Sequence, residues 1–212
     1  MADEPHRYLA LNCSLKPGGE PSSTDVLLSS VTSQLEAHGY VGTTMRVVDE
    51  HVAFGVTADE GDGDGWPAIR TALLAADVFV LGTPIWLGHP ASVCQVVLER
   101  LDAFLSDTDD RGQMRTVDRV AMVAVVGNED GAHHVVAETF QGLNDCGFSL
   151  APGAATYWVG EAMGRIDLKA LDEIPERTAT TTTSSSRVRP AKSPPYSSSR
   201  WLLKGDRNSH SR

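Results

Sequence analysis

Cysteine is scarce in this 212-residue chain: Cys13, Cys94 and Cys146 are odd in number, far apart and set among apolar neighbours. That pattern excludes a disulfide framework and a paired-cysteine metal site, and it leaves no closely spaced group to ligate an iron–sulfur cluster. No apolar run approaches the length of a membrane span, and Met1 to Arg7 leads into a first strand without a signal-like segment. A cytoplasmic protein with no membrane or nucleic-acid partner is therefore expected. The Gly-x-x-x-x-Gly-Lys-Ser/Thr and Gly-x-Gly-x-x-Gly spacings are missing from the amino-terminal loop, so neither ATP nor NAD is indicated there. Metal signals are weak as well. The acidic stretch Asp59 to Gly65 fails as a calcium loop, because the matching register puts Thr71 where a bidentate Glu belongs, and it reads as a solvated loop. His133 and His134 are adjacent, and on a helix they point about 100° apart, so they cannot chelate together. No metal site is expected.

What the chain does contain is a series of buried strands, each followed by a loop and a helix. Val78 to Gly82 and Val120 to Val126 are short, apolar and without polar alternation, as strands covered on both faces are. Tyr8 to Cys13, Thr43 to Asp49 and Phe148 to Val159 complete five strands, with helices over Ser22–His38, Trp66–Ala75, Ala91–Asp102 and Ala132–Cys146. The order βαβαβαβαβ with right-handed crossovers favours a five-stranded parallel sheet of order 2-1-3-4-5 in a three-layer α/β sandwich, formed by residues 1–174 as one domain. Ligands of such sheets bind at the carboxyl ends of the strands. Three loops meet there. The first runs from Ser14 to Thr24, where hydroxyls at a helix start suit a phosphate or a plain N-cap. The second, Gly82 to Pro90, holds two prolines that cannot donate ladder bonds and is expected to be irregular. The third, Gly127 to Gly131, has glycines suited to positive backbone angles and acids suited to a helix start.

Thr83-Pro84-Ile85-Trp86-Leu87-Gly88, with Ala91-Ser92 and Leu98 to Asp102 beyond it, resembles the flavin-contacting segment of the flavodoxin-like NAD(P)H-dependent FMN reductases and of the related quinone reductases. The first loop looks like their phosphate loop, and Gly127 to His134 is similar to their second flavin loop. The resemblance implies a flavodoxin-like fold that holds FMN noncovalently and takes electrons from NAD(P)H. Ser14, Ser22, Ser23 and Thr24 would face the phosphate, and Pro84, Ile85, Trp86, Leu87 and Gly88 would line the ring with Gly127, Asn128, Glu129, Asp130, Gly131 and His134. The flavin carries the chemistry, so no catalytic side chain is required. The implied function is electron transfer from NAD(P)H to a small acceptor such as a quinone or free flavin, in a homodimer or tetramer. The alternative is a flavodoxin-type electron carrier serving protein partners, which the acidic balance of the body suits.

Residues 175–212 depart from that pattern. They are rich in Thr, Ser, Pro and Arg and hold 8 basic and 2 acidic side chains, against 10 and 26 in residues 1–174, so a tail of +6 follows a body of −16. This composition predicts a disordered, basic segment in place of the fifth helix that the fold normally packs beside the first. A shifted reading frame, a natural tail lying on the acidic body and a basic arm for an acidic partner all fit. The first is favoured, because the low-complexity composition begins where a helix is expected.

Overall fold

In a computed structural model, residues 4–185 are described. Strands β1 (Arg7–Asn12), β2 (Val41–Arg46), β3 (Val78–Trp86), β5 (Val120–Gly127) and β6 (Ser149–Val159) form a parallel sheet in the order β2-β1-β3-β5-β6. This is the expected 2-1-3-4-5 order, with one addition: the two-residue β4 (His89–Pro90) pairs antiparallel with the end of β3. Helices α1 (Ser23–Ala37), α2 (Trp66–Leu74), α3 (Ser92–Leu101), α4 (Ala132–Asp145) and α5 (Glu176–Ser185) cover the two faces.

Strand alternation decides which helix goes where. Leu9, Leu11, Phe79, Leu81, Ala121, Val123 and Val125 point to the face covered by Ile69 and Leu73 of α2, Val97 and Leu101 of α3, and Val135 and Leu143 of α4. Their neighbours Tyr8, Ala10, Val78, Val80, Met122 and Ala124 point the other way, onto Leu27, Leu28, Val31 and Leu35 of α1. Because both faces are apolar, a slip of one residue would cost little through exposure alone, and register rests on side-chain fit. Gly82 illustrates that fit, since a methyl group there would lie 2.7 Å from Leu28 of α1.

Three local expectations change. The second strand ends at Arg46 and turns into a 3-10 helix over Val47–Asp49, rather than running to Asp49. The second loop is regular: β3 continues to Trp86, and Leu87 and Gly88, with φ of 52° and 78°, make the two-residue turn of a hairpin into β4. Pro84 is tolerated because the Gly82 carbonyl faces β1, where it accepts from Cys13 N at 2.8 Å. Two residues on, the proline nitrogen faces the same side, after β1 has ended at Asn12.

The third change concerns the tail. Glu176–Ser185 is not disordered but forms α5 on β6 and α1. Thr178 and Thr182 are buried, and the Thr156 hydroxyl of β6 lies 2.9 Å from that of Thr181 and 3.0 Å from that of Thr182. Thr182 and Thr183 also donate to the carbonyls four residues back, each at 2.9 Å. A threonine-rich stretch with little intrinsic helix preference thus becomes helical because its hydroxyls are satisfied locally and across the seam. The rest of the anticipated tail, 186–212, lies outside the described residues.

The acidic loop also does more than face solvent. The Asp64 side chain is almost fully buried and accepts from the backbone N–H groups of Ala53, Glu60 and Trp66 at 3.1, 3.0 and 3.0 Å. It further accepts from Arg100 at 2.6 Å, and the Arg100 side chain is itself fully buried. Burial alone would push the Asp64 carboxyl up, but those N–H groups and the guanidinium outweigh it and hold the pKa at about 2. The loop is pinned to α3.

Candidate functional site

The first loop leaves β1 at Asn12 and enters α1 at Ser22. Ser22 is the N-cap in a capping box: its hydroxyl accepts from Asp25 N at 3.1 Å, and its own N–H donates to Asp25 Oδ2 at 3.0 Å. Ser14 and Thr24 are buried, and Ser14 Oγ accepts from Lys16 N at 3.2 Å. Ser23 Oγ accepts from Lys169 N at 3.3 Å. The predicted hydroxyls are therefore gathered at the start of α1, already shaping the loop.

Sequence reasoning missed the side chains that hold this loop. Arg46, at the end of β2, donates to the carbonyls of Lys16, Pro17 and Glu20 at 2.8, 3.0 and 3.1 Å and pairs with Asp25. Asn12 Nδ2 also donates to Asp25, while Asn12 Oδ1 accepts from Ser14 N at 2.8 Å. Nothing local in the sequence marks Arg46 as a partner. The parallel pairing Asn12↔Arg46 is the signal, and it emerges only once the sheet is assembled.

Two ammonium groups border the same helix start. Lys16 Nζ and Lys169 Nζ both lie near the Pro21 carbonyl, at 3.5 and 3.4 Å. The Lys169 ammonium beside it, followed by partial desolvation, lowers the Lys16 pKa. Two cations crowded at a helix amino terminus suit a phosphate, which would relieve their repulsion. The Asp25 carboxylate is no obstacle, since Arg46 and Asn12 engage it. The first loop thus fits the phosphate end of FMN.

The second and third loops touch directly. Leu87 N donates to Glu129 Oε1 at 2.9 Å, and a methyl group on Gly131 would sit 2.8 Å from Gly88 Cα. Gly131, with φ of 120°, is the N-cap of α4, so its missing side chain permits both the turn and the close approach. Asp130 Oδ1 accepts from Gly131 N at 2.7 Å. Ile85 is buried beneath Gly127, where a methyl group would meet it at 2.9 Å, whereas Trp86 and Leu87 are exposed on the hairpin. Pro84 is half-buried.

Asn128 turns away from the hairpin. Its Nδ2 donates to Asp167 Oδ1 at 2.8 Å and to the Gly164 carbonyl at 3.3 Å, and its own carbonyl accepts from Met163 N at 3.0 Å. The segment after β6 is thus tied at one end to the third loop and, through Lys169 and Ser23, at the other to the first. That link was not legible in the sequence. The Tyr157 hydroxyl lies 3.0 Å from His133 Nε2, and Trp158 is buried on the α1 face. His134 is exposed beside His89 and Glu138. The three thiols are buried and unpaired, and burial together with Cys94 pushes the Cys13 thiol up.

A parallel sheet of this order, with a phosphate-suited helix start and two further loops meeting at the same strand ends, defines a flavodoxin-like protein. Residues 6–163 match the family described as NADPH-dependent FMN reductase, and the chain belongs to that family, whose cofactor is FMN and whose electron donor is NAD(P)H. The 8-demethyl-8-aminoriboflavin-5'-phosphate synthase of Streptomyces davaonensis is 32% identical over 165 residues, covering 74% of this chain and 64% of the synthase. A divalent metal cation transporter, MntH, of Mycobacterium bovis is 36% identical over 160 residues, covering 74% of this chain and 23% of the transporter. The chain therefore spans less than two thirds of either curated relative. Among solved structures, RosB with bound 8-demethyl-8-formylriboflavin-5'-phosphate superimposes with a TM-score of 0.73 at 27% identity, covering 86% of this chain and 76% of RosB. No helix among the described residues is long and apolar enough to cross a membrane.

Proposed function

We propose that this chain holds FMN at the carboxyl ends of β1, β3 and β5 and passes electrons from NAD(P)H to a small acceptor such as a quinone or free flavin. The observation that carries the reading is the convergence of three loops on one sheet edge, one bordered by two ammonium groups at a helix start and two in direct contact with each other. When bound, the flavin supplies the hydride chemistry. The protein's part is to position and enclose. Ser14, Ser22, Ser23 and Thr24 with Lys16 would hold the phosphate, and the Pro84 to Gly88 hairpin with Gly127 to Gly131 and His134 would border the ring. Glu129, held by Leu87 N, disfavours extra negative charge nearby. Trp86, Leu87, Met163 and Ile166 are exposed apolar side chains near this edge, which supports completion of the pocket by a second copy of the chain in a homodimer or tetramer.

A second reading rests on the likeness to the 8-demethyl-8-aminoriboflavin-5'-phosphate synthase, whose named product is a riboflavin phosphate altered at position 8. One experiment separates the two. Full-length protein is incubated with FMN, NADPH and a quinone, NADPH oxidation is followed, and the flavin is then recovered for mass analysis. Quinone-dependent oxidation with an unchanged flavin mass supports the reductase, and a changed flavin mass supports flavin modification. A stable one-electron semiquinone without turnover would favour the carrier instead.

A further inference from the structure

We propose that His89, His134 and Glu138 form a binding site for one divalent first-row transition-metal ion, zinc being the reference case. Among the described residues they are the group of three potential ligands brought together by the fold. Glu138 Oε2 lies 3.5 Å from His89 Nδ1 and 3.5 Å from His134 Nε2. Ligand atoms bound about 2.0–2.1 Å from a tetrahedral ion stand about 3.3–3.4 Å apart, so two of the three edges are within about 0.2 Å of the required length. The third is open, with all ligand atoms within 4.8 Å of one another and the two imidazoles edge to face at 5.0 Å between centroids. Side-chain rotation can close it, since the three are exposed by 63%, 58% and 39%.

The backbone that carries these donors is fixed. His134 and Glu138 stand one turn apart on α4, the spacing at which two helical residues can share an ion. His89 reaches them because the β3–β4 turn places it there and Gly131 backs onto Gly88. Two imidazoles select zinc and its transition-metal neighbours over magnesium or calcium, which favour oxygen donors. Three protein ligands would leave a fourth position facing solvent, the arrangement of an open rather than a purely structural site. A bound ion would tether the hairpin bearing Trp86 and Leu87 to α4. Without it, the cluster is an exposed His–Glu pairing of little energetic weight.

The test is calorimetric titration of the chelator-treated full-length protein with zinc chloride, with folding checked by circular dichroism. One equivalent should bind, and His89→Asn and Glu138→Gln should each weaken binding by at least about tenfold. His133→Asn, whose imidazole faces Tyr157, should bind zinc as the parent does. Zinc-edge anomalous scattering from crystals of the parent chain should place the ion between the three residues, and this decides the matter if either variant misfolds. No saturable binding by the parent, parent-like binding by both variants, or an anomalous peak elsewhere would overturn the proposal.

Discussion

Replacing Arg46 by alanine should weaken FMN binding far more than riboflavin binding. The guanidinium joins three carbonyls of the first loop, at 2.8, 3.0 and 3.1 Å, and also pairs with Asp25. Its side chain is only 14% exposed, so water substitutes for it poorly. A hydrogen bond to a charged group contributes about 1.5–3 kcal/mol. Freed carbonyls can turn toward solvent when the loop relaxes, so the expected net effect on the phosphate end is that of one such bond, not three. An FMN dissociation constant raised about 10- to 150-fold follows. Riboflavin lacks the phosphate and should lose less than about threefold by the same reasoning. Arg46→Lys should fall between, because a single ammonium cannot span the three carbonyls and the carboxylate together. Flavin fluorescence quenching measures the constants for both flavins with the parent and each variant. If Arg46→Ala stays folded and binds both flavins as the parent does, the assignment of the first loop is wrong.

Asp64→Ala should lower unfolding stability by about 3–5 kcal/mol, because it strands the fully buried Arg100 charge; the midpoint of urea unfolding reads this directly. The depressed pKa of Asp64 also sets an acid dependence. Its stabilising contribution is complete above the unfolded value, roughly pH 4, and is lost as pH falls toward about 2. Asp64→Asn should therefore flatten the stability profile across that interval, and an unchanged slope would count against the assigned partners. Gly131→Ala should cost about 1–3 kcal/mol, since φ is 120° and the new methyl would press on Gly88 Cα. Thermal unfolding measures that loss, and a neutral result would mean that the second and third loops are not in contact.

The parts legible in the sequence were those carried by local pattern. Val78 to Leu81 and Val120 to Val126 announced their strands because strands buried on both faces must be apolar throughout. Once those were placed, the three loops followed from sheet topology alone. What the sequence concealed depends on long-range pairing. Arg46 and Asp25 are 21 residues apart, and Asn128 meets Asp167 at a separation of 39, so neither link has a spacing signature. Leu87-Gly88 is a weak hairpin signal compared with Asn-Gly, and with the turn unrecognised nothing brought His89 and His134 within ligand distance of one another. Helix α5 escaped because threonine propensity argues against it, while its partners on β6 lie more than twenty residues away.

The most direct measurement is a titration of the folded, full-length chain with FMN, followed by quenching of the flavin and by exchange-sensitive NMR of the backbone amides. Saturation at one FMN per chain is expected, with the amide shifts concentrated at the non-proline residues of Ser14 to Thr24, at Ile85 to Gly88 and at Gly127 to Gly131. Saturable uptake that moves other amides, or well-folded protein that takes up no FMN, would contradict the strand-end crevice on which this account rests.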